Sequence, residues 1–195
     1  MNHDIITLVR DLQACVMNRA ALTRSSRVQQ IEKELLFGNT YSRLPILLDV
    51  AHEMDTCDWL ALLGREWTGF DNVGVFLDDL LDTPFGWVLG DGPIVEMMNA
   101  EELAAYDALP NPIAVYRGCY VNNKWGICWS LNRTTAEEFP TLNRYRQKGQ
   151  PLLVRAEAKK QHVAAIKLDR GEAEIITFRP KHISTTYIQS ESALA

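Results

Sequence analysis

Residues 110–120 read Pro110-Asn111-Pro112-Ile113-Ala114-Val115-Tyr116-Arg117-Gly118-Cys119-Tyr120, and the chain changes character there. The two prolines break whatever precedes them. Beyond them the apolar residues recur at every second position, the period of a half-buried strand. Upstream the period is helical. Ile5, Leu8, Val9, Leu12 and Val16 form one stripe. Val28, Ile31, Leu35 and Leu36 form a second, with Ser25 or Ser26 as its N-cap and Gly38-Asn39 as its end. Leu44, Leu47, Leu48, Ala51 and Met54 make a third. Trp59, Leu60, Leu62 and Leu63 make a fourth that stops at Gly64, and Phe76, Leu77, Leu80 and Leu81 a short fifth. Asn99 caps a helix over 100–109, with Glu101 and Glu102 in its favoured first turn.

Downstream of Pro112 the pattern predicts strands over 113–120, 125–131, 152–158, 163–168, 172–178 and 183–188. Thr134 and Thr135, each followed three residues later by a Glu, open a helix over 134–147. A frayed tail is expected over 189–195. The fold class is therefore α+β. A helical region over 1–110 precedes a strand-rich region over 111–195, and the helices are free to share a core with the strands.

The chain has 195 residues, 47% hydrophobic and 23% charged, an ordinary globular mix. That length buries a core without disulfides or structural metal. No stretch approaches the roughly 18 uncharged apolar residues of a membrane span. The N-terminus lacks an apolar signal core, so a reducing, cytoplasmic location is expected. Cys15, Cys57, Cys119 and Cys128 form no metal-ligand spacing, so no metal is expected. Charge is split along the chain. Residues 1–110 carry 7 Lys/Arg against 18 Asp/Glu, a net −11; residues 111–195 carry 13 against 7, a net +6. The basic half tolerates an anionic ligand, and the acidic half offers a surface to a protein partner.

Three segments of the second half place polar groups where a strand does not need them. Arg117 shares a strand face with Ile113, Val115 and Cys119. A guanidinium there demands an anion or several acceptors. Gly118 beside it lets another group approach the backbone. In Trp125-Gly126-Ile127-Cys128-Trp129-Ser130-Leu131-Asn132 one face is bulky and the other small or polar. Such a strand packs a core on one side and walls a cleft on the other. In Arg170-Gly171-Glu172-Ala173-Glu174-Ile175-Ile176, Glu172 and Glu174 share a face. Paired carboxylates serve general-base and oxocarbenium-stabilising chemistry. Trp125, Trp129 and Phe139 are expected in the core.

In this order, "VYRG", "WSLNRTTAEEF" and "GEAEII" resemble the Arg–Ser–Glu class of mono-ADP-ribosyltransferases, over about residues 110–188. Ser130-Leu131-Asn132 stands where family members often have Ser-Thr-Ser. The resemblance implies a core of two packed sheets and transfer of ADP-ribose from NAD to a macromolecule, with nicotinamide released. It implies that Arg117 holds a phosphate or ribose of NAD, and that Gly118 offers backbone groups to the nicotinamide. Ser130 would orient Glu174, and Glu174 would stabilise the oxocarbenium. Glu172, the first carboxylate of the pair, goes with a protein arginine as acceptor. A nucleic-acid base is the alternative acceptor. A non-catalytic NAD-binding or protein-interaction module is the alternative of another class. Small members of the family are often bacterial or phage effectors or toxins. Residues 1–110 carry no part of the resemblance and no expected catalytic group.

Overall fold

The computed structural model describes residues 26–71, 73–169 and 173–188. The stripe Ile5–Val16, the tail over 189–195, Cys15 and Glu172 lie outside the described residues. The helical half contains α1 (Ser26–Phe37), α2 (Arg43–Asp49), α3 (Thr56–Glu66), α4 (Leu77–Leu81), α5 (Pro84–Val88) and α6 (Ala100–Asp107). The second half contains β1 (Ile113–Cys119), β2 (Cys128–Ser130), α7 (Arg133–Glu138), β3 (Leu152–Ala158), β4 (Val163–Lys167), β5 (Glu174–Thr177) and β6 (Lys181–Tyr187). The fold is α+β.

Local chemistry explains the helix ends. Asp55 caps α3 by accepting from the Cys57 and Asp58 amides. Asn99 and Glu102 form a reciprocal capping box on α6. Three expectations are corrected. Gly64 does not end its helix: α3 runs on to Glu66, and a Cβ at Gly64 would lie 2.3 Å from the Met97 backbone. The expected helix over 134–147 is α7 alone, capped by Asn132 and followed by a 3₁₀ turn at Phe139-Pro140-Thr141. Pro140 has no amide to continue the helical ladder. Leu36 is exposed, while Val28, Ile31 and Leu35 carry the buried stripe of α1.

The six strands form one antiparallel sheet, in the order β4-β5-β2-β1-β3-β6. Two packed sheets are expected; the strands join in one hydrogen-bonded sheet. The single sheet is nevertheless doubled over, as its connections require. From Thr177 to Lys181 the chain takes four residue steps, a reach of about 14 Å. Between β5 and β6 stand β2, β1 and β3, so a flat sheet would need about 19 Å. The wing β4-β5-β2 therefore folds back toward the wing β1-β3-β6. The crease is the β1–β2 seam, whose paired position is Tyr116 opposite Ser130. In agreement, a single hollow is lined by the end of β3, the end of β5 and the start of β6.

One continuous cluster of buried side chains runs from Val28 to Ile176, so the helices and the sheet share a core. A buried ion pair joins them. Lys167 on β4 lies 2.8 Å from Glu102 on α6, and its ammonium also donates to the Met97 carbonyl. Glu102 in turn accepts from the amide of Asn99. Removing one member of such a pair leaves the other charge buried without its partner. Lys167→Met should therefore lower stability by about 3–5 kcal/mol. The check is a reduced urea midpoint at unchanged denaturant slope. A midpoint equal to the parent's would show that the pair does not clamp α6 to the sheet.

Candidate functional site at the seam of the sheet

Strand register gathers the segments singled out in the sequence. Tyr116 on β1 stands opposite Ser130 on β2, and Ser130 stands opposite Glu174 on β5. These side chains share one face. At the crease a cavity of about 530 Å³ opens, within the range of small-molecule sites. Arg117, Gly118, Cys128, Ser130 and Glu174 line it from the sheet. Trp67 and Phe70 close it from the helical half, and Phe139, Arg144, Tyr145 and Arg146 from the segment after α7.

Arg117 is half-buried, and the structure supplies acceptors for it. Its Nη1 donates to the Cys128 carbonyl at 2.7 Å. Its Nε and Nη2 both reach the Asn123 carbonyl, at 3.4 and 3.3 Å. The Asn123 side chain is itself fixed by the Tyr120 amide at 2.7 Å. The guanidinium thus clasps the 121–124 turn to β2. Gly126 permits this, because a Cβ there would lie 2.8 Å from Nη2. The expected strand over 125–131 shrinks to β2 for the same reason. Trp125 turns out to the surface instead of entering the core, while Ile127 and Trp129 are buried.

Glu174 is held from the helical half. Its Oε1 accepts from Trp67 Nε1 at 3.0 Å. Trp67 is buried against Phe70 and Phe85, so its indole cannot swing away freely. The expected partner, Ser130, lies opposite Glu174 but is engaged elsewhere. Its Oγ donates to the Asn132 carbonyl at 3.0 Å and accepts from the Asn132 amide at 2.9 Å. Sequence reading missed Trp67, which lies 107 residues from its partner with no local pattern to mark it. Gly118 lines the cavity and has a close neighbour of its own. A Cβ there would meet the Ala136 carbonyl and Pro140, so the close neighbour that requires glycine is α7.

Cys128 joins this group. Its thiol stands close enough to the Glu174 carboxylate to feel that charge. Burial first, and the adjacent carboxylate second, hold the thiol well above its ordinary pKa, so it stays protonated at neutral pH. Three arginines and one carboxylate among the lining residues give the cavity both signs of charge, and its aromatic walls offer flat apolar faces. Among the described residues no group of three His, Cys, Asp or Glu could hold a metal ion. No described helix is long and apolar enough to cross a membrane. Set against known proteins, the chain matches no family model, no curated protein and no solved structure.

The Cys128–Glu174 contact has a chemical signature. Alkylation requires the thiolate. At pH 8 Cys128 should therefore react more slowly in the folded chain than in the unfolded one. Glu174→Gln removes the negative charge that opposes ionisation, lowers the thiol pKa and should speed the reaction. Peptide mass mapping after iodoacetamide treatment reads this at the one cysteine. An unchanged rate in the variant would separate the thiol from the carboxylate.

Proposed function

We propose that the seam cavity binds NAD and that the chain transfers ADP-ribose from it to a macromolecular acceptor, releasing nicotinamide. The observation that carries the reading is the common cavity of Arg117, Ser130 and Glu174. These are the residues of the sequence resemblance, and they come from three separate segments. The donor set suits the substrate. Arg117, Arg144 and Arg146 offer guanidinium forks to a diphosphate. The aromatic walls suit flat rings. A carboxylate has several lone pairs, so Glu174 can accept a ribose hydroxyl besides the Trp67 indole.

In this reading the bond between the ribose carbon and the nicotinamide nitrogen breaks, and nicotinamide keeps the electron pair. Glu174 faces the positive charge that develops on the sugar, and a fixed carboxylate in a partly dry site stabilises it strongly. Trp67 holds that carboxylate in place. Arg117 anchors the anionic part of the substrate. The acceptor nitrogen then bonds to the same carbon and loses a proton. An arginine guanidinium is a poor nucleophile until a base removes a proton. Glu172 would be that base, which makes a protein arginine the acceptor.

The primary test is nicotinamide release on incubation with NAD, followed by the fate of tagged ADP-ribose. Glu174→Gln keeps size and removes charge, so it should slow release by roughly 10²–10³-fold. Label lost to protease and not to nuclease supports the arginine acceptor. Label lost to nuclease puts it on a base. NAD binding without release leaves a binding module.

Trp67→Phe keeps the ring and removes the indole donor. The loss of a hydrogen bond to a charged group is about 1.5–3 kcal/mol. Turnover should fall by roughly 10–10²-fold with KM nearly unchanged. A variant that only lowers the melting temperature would reduce Trp67 to a core residue.

A further inference from the structure

We propose that the edge strand β6 and the hollow at its start form a binding track for single-stranded nucleic acid. The track uses neither Glu174 nor Ser130, so it stands or falls apart from the transfer reading.

The hollow has a volume of about 180 Å³ and collects the ends of four strands. Lys159, His162, Arg179 and Lys181 line it, and Glu157 is the acid among its lining residues. Among the described residues, Lys159, Arg179 and Lys181 have no carboxylate within ion-pair distance. Arg179 adopts φ 51°, a left-handed conformation that costs energy in any residue but glycine. Its guanidinium lies 4.7 Å from the Phe178 ring centre. Like charges that line one hollow repel one another, and an anion between them relieves the repulsion. The hollow is large enough for a phosphate group.

One residue along the strand the chemistry turns aromatic. His182 meets Trp125 edge-on, with ring centres 5.7 Å apart. Trp125 is 57% exposed, and the Lys124 ammonium lies 5.0 Å from its centre. His182 and Tyr187 stand opposite Ala156 and Leu152, so they share a face of β6. Tyr187 is 65% exposed. Among the described residues β6 has no strand partner beyond β3. Flat faces flanked by cations, on the half with net charge +6, are what unpaired bases and their phosphates require. An acidic peptide would satisfy the cations and leave the rings bare. Trp125 also lines the seam cavity, so the track ends at the cavity mouth.

The test is fluorescence anisotropy of the full chain with a labelled 12-nucleotide strand of about mixed composition, in RNA and DNA form, across a salt series. Binding should quench tryptophan emission. Its logarithmic salt slope should be about −2 for three phosphates. A duplex of the same sequence should bind at least about 10-fold more weakly, since its bases cannot stack on the rings. Trp125→Ala should weaken binding about 10-fold or more. The double variant Arg179→Ala, Lys181→Glu should weaken binding and flatten the slope, while nicotinamide release keeps its parental rate. Absence of binding, equal affinity for duplex, equal competition by polyglutamate, or parental affinity in both variants would each overturn the proposal. A melting temperature for each variant separates lost binding from lost fold.

Discussion

Two short links tie the outer strands of the sheet together, and the rest of the molecule follows from them. One runs from Ala158 to Val163 and the other from Thr177 to Lys181. Each joins strands that three others separate in the hydrogen-bonded order. Neither link can cross a flat sheet, so the sheet doubles over. A doubled sheet must have a crease where the ladder is weakest. That place is β2, three residues long and paired to β1 at Tyr116–Ser130. The Arg117 guanidinium sits there, already holding the Cys128 carbonyl. A crease between two wings is a cleft, and the cavity occupies it. The same doubling brings four strand ends together into the basic hollow at the start of β6.

The acidic helical half takes part in the site it covers. The charge split along the sequence finds one buried expression in Lys167–Glu102, which holds α6 against β4. Thr68 donates to Asp169 at 3.2 Å, and Tyr145 donates to Asp71 at 2.9 Å. Both bonds link helical-half residues to segments that border the cavity or lead into β5. Trp67 goes further and holds the Glu174 carboxylate itself. Truncating the helical half would thus remove a wall of the cavity together with the donor that fixes its acid. Residues 1–110, which carry no part of the sequence resemblance, thus supply one lining residue that touches the Glu174 carboxylate.

Where one residue type admits one physical role, the sequence was legible. The alternation over 152–158 could only be a strand, and β3 has those bounds. Asn99 with Glu102 could cap a helix in one way, and it does. Glycine and tryptophan admit several roles, and there the reading failed. Gly64 looks like a helix stop but makes room for the Met97 backbone. Gly118 lines the cavity and also makes room for α7, a neighbour the sequence does not mark. Trp125 and Trp129 look alike, two turns of the same alternation, yet one is exposed and the other buried. What separates them is the Arg117 clasp, a tertiary contact that no local period encodes. Arg117, Ser130 and Glu174 were legible because their segments each break a strand's ordinary pattern. Trp67 was not, because a buried tryptophan at a helix end breaks no pattern at all.

The polar site owes its aim to apolar register. In β5, Ile175, Ile176 and Thr177 are all buried, and Glu174 is the half-exposed member. A slip of one residue against β2 would set Ile175 opposite Ser130 and send Glu174 to the other face. The slip would also drive a carboxylate toward the core that Ile175 now fills, at a cost of several kcal/mol. On the other flank Glu174 stands opposite Lys167, whose ammonium is already committed to Glu102 and Met97. An irregularity between Val163 and Ala165 absorbs the mismatch at the far end of that ladder. Core packing on one side and a committed lysine on the other leave one register, and in that register the carboxylate points into the cleft. The polar residues therefore need not find each other: the hydrophobic ones place them.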